Sequence, residues 1–130
     1  MTRDMDLVRD ILLRLEQLPA TRDEYVQVAV DGEIFRDLKA SAPEIGYHVK
    51  LLIDHGFILS RSKRHPTIGF LFEGLSWEAH DFVDSVRNDD IWNKTKAGAQ
   101  RAGGWTFELL RELAKSIIKH ELGKYIPGVT

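Results

Sequence analysis

The sequence predicts an α+β fold that is mainly α. Three observations carry that prediction. Apolar residues recur every three or four positions over most of the chain, as one buried helix face requires. Short runs at 25–30, 57–60 and 68–72 break this rhythm and are rich in β-branched and aromatic residues. Helix-start and helix-stop residues stand at the junctions between these stretches. The 130 residues, 43% hydrophobic and 29% charged, are enough for one globular domain, or one with a helical extension, without disulfides or metal.

Asp4 can cap a first helix whose stripe is Met5, Leu7, Val8, Ile11, Leu12, Leu15 and Leu18, and Pro19 stops it. Residues 25–30 read as a short strand, Asp31-Gly32 as a turn, and 33–40 as a short helix with Ile34, Phe35 and Leu38 inward. Ser41-Ala-Pro-Glu44 is a helix start: Ser41 as N-cap, Glu44 at the third helical position, and Pro43 where a missing N–H costs little. Ile45, Val49, Leu52 and Ile53 line the inner face, and Gly56 stands where a left-handed residue ends a helix. Strands at 57–60 and 68–72 flank a polar, basic loop that contains Pro66. Ser76 then caps a helix with Trp77, Phe82, Val83 and Val86. A short segment runs from Ile91 to Gly103-Gly104, and Thr106 caps a last helix that reaches Leu122.

Helix, strand, helix, helix, strand, basic loop, strand is the order of a winged helix-turn-helix domain. Such a domain is expected over residues 1–75, with a C-terminal helical extension over 76–130 that covers it or pairs with a second copy. On helical spacing the third helix exposes Glu44, Tyr47, Lys50 and Asp54 and buries Ile45, Val49 and Leu52.

Four motifs in order resemble one family. They are Arg3-Asp-Met-Asp-Leu-Val-Arg9, the Tyr47–Ile58 passage, Leu75-Ser-Trp-Glu-Ala-His-Asp-Phe-Val-Asp84, and Arg87 to Trp92-Asn-Lys-Thr-Lys96. Together they are similar to a bacterial and phage domain family of unknown function, and the likeness runs from about residue 3 to residue 120. It implies a winged-helix fold and brings almost no function. Ala79 departs from the family, where Gly is expected; inside a helix Ala is the more stable choice.

Eighteen Lys+Arg against 20 Asp+Glu give a net charge of −2, which argues against a strongly basic nucleic-acid coat. The balance is uneven, with residues 77–90 at −4 and 94–124 at +4. The chain has no cysteine, which excludes a thiolate metal site or thiol nucleophile. No apolar run approaches the roughly 18 residues of a membrane span, and no signal core is visible, so no membrane association and a cytoplasmic location are expected.

Arg61, Lys63, Arg64 and His65 suit phosphate contacts, or they keep a hairpin tip solvated. Tyr47 and Lys50 can reach phosphate or a base edge, although Asn, Gln and Arg are missing from that face. The five histidines form no zinc-hydrolase pair, and His48 and His80 are expected to make buried hydrogen bonds. Asp81 and Asp84, three apart, are read as part of a solvated acidic face or one that pairs with the basic last helix. Trp77, Trp92 and Trp105 are expected in core and helix-junction packing rather than as base-stacking platforms. Phe107, Leu110, Ile117 and Ile118 mark a broad apolar face for the core or for a homodimer.

Double-stranded DNA is therefore the leading expected partner and a protein complex the alternative. No catalytic constellation, metal or cofactor is expected.

Overall fold

The structure is a computed structural model and describes residues 1–61 and 68–125. By contact density it divides into two compact units, Met1–His80 and Asp81–Thr130.

In the first unit Asp4 is the N-cap of the first helix, and its carboxylate accepts from the backbone N–H of Asp6 (2.9 Å) and Leu7 (3.3 Å). Those two donors have no partner within the helix, so the cap satisfies them. Helix α1 (Met5–Glu16) follows and buries Leu7, Val8, Ile11, Leu12 and Leu15. It packs on helix α2 (Ala42–Asp54) and on the sheet.

That sheet has three antiparallel strands: β1 (Val26–Ala29), β2 (Ile58–Ser60) and β3 (Gly69–Leu75), in the order β1-β3-β2. The central strand runs past its expected end at residue 72. Gly69–Phe72 pair with β1, while β2 recruits Phe72, Gly74 and Leu75, with a register shift at Leu59/Ser60. Gly69 is required by space: a Cβ there would lie 2.6 Å from the Val28 carbonyl oxygen.

The helix expected over 33–40 is a three-residue 3-10 turn, Glu33–Phe35. The reason is competition for a carbonyl. An α-helix would bond the Leu38 N–H to the Ile34 carbonyl. That carbonyl instead accepts from the Arg14 guanidinium at 2.9 Å, and Leu38 N–H donates to Phe35 at 3.1 Å. Arg14 also forms a two-pronged pair with Asp37, one arm being Nη2 to Oδ2 at 2.9 Å.

Helix α3 (Trp77–Val86) crosses the boundary between the units. Ser76 Oγ accepts from the Ala79 N–H at 3.1 Å, as its N-cap role predicts. Trp77 is not a core residue: it is 80% exposed, and His80 is exposed too. The buried stripe is Ala79, Phe82, Val83 and Val86, and helical spacing turns Trp77 away from it.

In the second unit, Asn88 caps helix α4 (Asp89–Ala102) by accepting from Ile91 N–H at 3.0 Å, and Gly103 ends it at φ +75°. Helix α5 (Phe107–Tyr125) packs along α4. Phe82 meets Trp92 and Phe107 edge-on, with centroids at 6.3 and 4.8 Å. Lys94 bridges Asp90 (3.2 Å) and Glu121 (3.0 Å). Its hydrogen bond to Glu121 holds the ammonium above its usual range and Glu121 below its own. Local cations thus serve the acidic stretch: Arg87 takes Asp84 at 2.8 Å and Lys94 takes Asp90.

The Arg14 hydrogen bond holds the Asp37 carboxyl below its ordinary value of 3.8. A lowered carboxyl stabilises the fold above its unfolded value and loses that contribution as pH falls through the lowered one. Asp37→Asn is therefore expected to lower the urea midpoint at neutral pH. The gap to wild type should close as pH drops below about 4. Asp10 has the opposite sign. Burial pushes its carboxyl up against the pull of Arg9 and Arg14, so its contribution is present below the unfolded value and lost as pH rises. Asp10→Asn is expected to leave neutral-pH stability unchanged or raised in the same titration.

Candidate nucleic-acid interface

Helix α2 begins in a full capping box. Ser41 Oγ accepts from Glu44 N–H at 3.3 Å, and the Glu44 carboxylate accepts from Ser41 N–H at 3.4 Å. A cap of this kind stabilises a helix by about 1 kcal/mol. Gly56 ends the segment at φ +85°, with its N–H donated to Ile53 at 3.0 Å and the Phe57 N–H donated to Leu52 at 2.9 Å.

Ile45, Val49 and Leu52 are buried, as is His48 at 2% exposure. The His48 ring is held on both sides. Nε2 accepts from the Asp4 backbone N–H at 2.9 Å, so Nδ1 carries the proton and donates to the Glu44 carbonyl at 2.7 Å. The tautomer is assigned from these partners. His48 therefore joins the start of α1 to the first turns of α2.

On the opposite side, Glu44 and Asp54 are exposed, and Tyr47 and Lys50 are half-buried. Tyr47 and Lys50 are neighbours at i and i+3. The stripe reads carboxylate, phenol, ammonium, carboxylate along the helix. The Tyr47 ring stands edge-on to His48 at 5.5 Å between centroids.

The β2–β3 connection starts at Arg61, and its guanidinium is already engaged. It lies 4.4 Å over the Tyr25 ring, donates to the Arg22 carbonyl at 2.8 Å, and stands 3.9 Å from Glu73. A cation on an aromatic face with a backbone acceptor is a structural brace. The sequence does not reveal it, because Tyr25 and Arg61 lie far apart in the chain. Lys63, Arg64 and His65 lie outside the described residues.

Of the four residues proposed for a partner face, Leu110 is fully buried in the single chain and Phe107 packs on Phe82. They serve this chain's own core, which leaves Ile117 and Ile118, both half-buried, on that face. Among the described residues, no group of three or more His, Asp or Glu side chains could hold a metal ion, and no helix is long and apolar enough to cross a membrane.

These features define a mainly helical α+β protein with a small three-stranded antiparallel sheet. The family described as "Hypothetical protein (DUF2513)" matches residues 2–105, and the chain belongs to that family. An "Uncharacterized protein" of Haemophilus influenzae (strain ATCC 51907 / DSM 11121 / KW20 / Rd) is 27% identical over 125 residues, 94% of this chain and 99% of its own. No solved structure matches the chain.

His48→Ala removes the acceptor of the Asp4 N–H and should cost about 1–3 kcal/mol in urea unfolding. Arg61→Ala should lower the melting temperature and raise hydrogen exchange at Arg22–Val26 and along β3, with α4 and α5 unaffected.

Proposed function

We propose that this is a winged helix-turn-helix protein of bacterial or prophage regulatory type, working in the cytoplasm, that binds duplex DNA through α2 and the β2–β3 loop. The element order carries the reading: a capped helix with a solvent-facing stripe leads directly into a hairpin whose second strand is central to a β1-β3-β2 sheet. In such a domain the exposed face of the helix enters the major groove and the hairpin loop touches the backbone. Tyr47 and Lys50 are the groove-side contacts, Lys63 and Arg64 supply cations from the loop sequence, and His65 adds a hydrogen-bonding imidazole. Arg61 acts as the brace at the loop's root. A binding protein of this kind needs no catalytic residue and no cofactor.

A protein partner is the second reading, and charge favours it. Residues 1–80 hold ten Lys and Arg against thirteen Asp and Glu, an unfavourable balance for approaching a polyanion. Pairing of Ile117 and Ile118 with a second copy would add a homodimer to either reading.

Fluorescence anisotropy with a labelled duplex across a salt series tests the DNA reading. Wild type should bind more weakly as salt rises. Lys50→Ala should make the log–log slope shallower by about 1, and Lys63→Ala/Arg64→Ala by about 2. No binding at low salt, or slopes unchanged in both variants, would remove DNA from the reading.

A further inference from the structure

Helix α5 carries a charge pattern that its own chain does not use. Helical spacing puts Glu108, Glu112, Lys115, Lys119 and Leu122 on one stripe, at alternating intervals of four and three residues. All five are exposed, as is Ser116 beside them. The buried residues Leu110 and Ala114 lie on the opposite side. An open groove of about 370 Å³ runs over the stripe, lined by Glu112, Lys115, Ser116, Ile118 and Lys119.

The signs on this stripe are segregated. Both carboxylates stand in its first half and both ammonium groups in its second. Among the described residues none of the four makes an ion pair or a side-chain hydrogen bond. By contrast Lys94, Glu121 and Lys124, elsewhere on α4 and α5, are all engaged. The helix dipole favours an acid in the first turn and a base in the last, which accounts for Glu108 alone. Glu112, Lys115 and Lys119 lie in the interior turns, where that field has faded. Arg111 does not blur the pattern. It is half-buried on the flank of the stripe, with its Nε buried and without a hydrogen-bond partner.

A stripe that is acidic at one end and basic at the other is complementary to itself when reversed. Two copies laid parallel would set like charges against like. Laid antiparallel about a two-fold axis between Lys115 and Ser116, they bring Glu112 of each copy to Lys119 of the other. That contact is closed and isologous, and flanking charges set the direction of paired helices in the same way. Leu122, 42% exposed, and half-buried Ile118 supply apolar area beside the charges. The small Ser116 side chain at the centre lets the two backbones approach.

We propose that α5 pairs antiparallel with the α5 of a second copy of this chain, oriented by reciprocal Glu112–Lys119 ion pairs. This pairing rests on the homodimer reading above and gives it a face and a direction; it does not depend on duplex binding. One helix pair is a small interface, so association of micromolar strength or weaker is expected.

The test is sedimentation equilibrium of the full chain, up to millimolar concentration, at low and high salt. Wild type is compared with Glu112→Lys, with Lys119→Glu, with an equimolar mixture of the two, and with the double variant. Wild type should dimerise reversibly and more weakly at high salt. Each single reversal should weaken the dimer about tenfold or more, and the mixture and the double variant should return to within about threefold of wild type. The reason is that every contact made like-charged by one reversal becomes opposite again when the second faces it. Both positions are exposed and Glu and Lys have similar helix propensity, so the variants should fold, which thermal melts confirm. Glu112→Gln and Lys119→Gln, each expected to weaken the dimer severalfold, replace a reversal that does not fold. A wild type that stays monomeric, or a dimer indifferent to both reversals, would overturn the proposal. So would single variants that weaken the dimer and are not rescued on mixing, because the helices then do not run antiparallel. A dimer that passes while the duplex assay fails removes only the DNA reading, and a monomer that binds duplex removes only the dimer.

Discussion

What α2 can offer outward depends on how it is rotated about its own axis, and one imidazole sets that rotation. A buried ring nitrogen without a partner is costly, so His48 must keep both of its hydrogen bonds. The bond to the Glu44 carbonyl ties the ring to its own helix, and the bond from the Asp4 N–H reaches the first residue before α1. Turning α2 by one residue would aim the ring elsewhere and break the second bond. Helical spacing then leaves Tyr47 and Lys50 on the far side, with Glu44 and Asp54 above and below them. The outward stripe is thus a consequence of an inward contact.

Cations hold this molecule together at several points where the backbone alone would not. Arg14 takes a carbonyl that would otherwise extend a helix. Arg61 braces the root of a hairpin against the segment before β1. Lys94 bridges α4 and α5. Each is partly solvated, so a single bridge contributes little through charge alone. Their value lies in direction: each decides where a chain segment turns, stops or docks.

Much of the fold was legible because its signals are local. Ser41 and Glu44 read as a cap, Gly56 as a left-handed stop, and Ser76 as the start of the next helix; each depends on residues within one turn. The failures came from partners distant in sequence. Residues 33–40 have an acceptable helical pattern, and only Arg14 arriving from α1 takes the carbonyl that a helix needs. β3 appeared to end at Phe72 because its last residues pair with β2 rather than continue an apolar pattern. Trp77 was misplaced by composition, since a large aromatic beside a helix start resembles core until the stripe beginning at Ala79 is seen. At the candidate site, the Tyr47 and Lys50 positions followed from periodicity. The brace formed by Arg61 depends on sheet register, which residue order does not contain.

The contrast between two tryptophans gives the protein a built-in optical reporter. The indole of Trp77 stands in water, whereas that of Trp92 is sealed against Phe82 with the Lys96 ammonium 5.7 Å from its ring. Emission from the first is solvent-relaxed and open to collisional quenching by iodide or acrylamide, while emission from the second is shielded. With Trp105, 38% exposed just before α5, replaced by Phe, quenching in the native state samples the start of α3 selectively. Any macromolecule that settles over that surface would shift the red part of the spectrum without a label being attached.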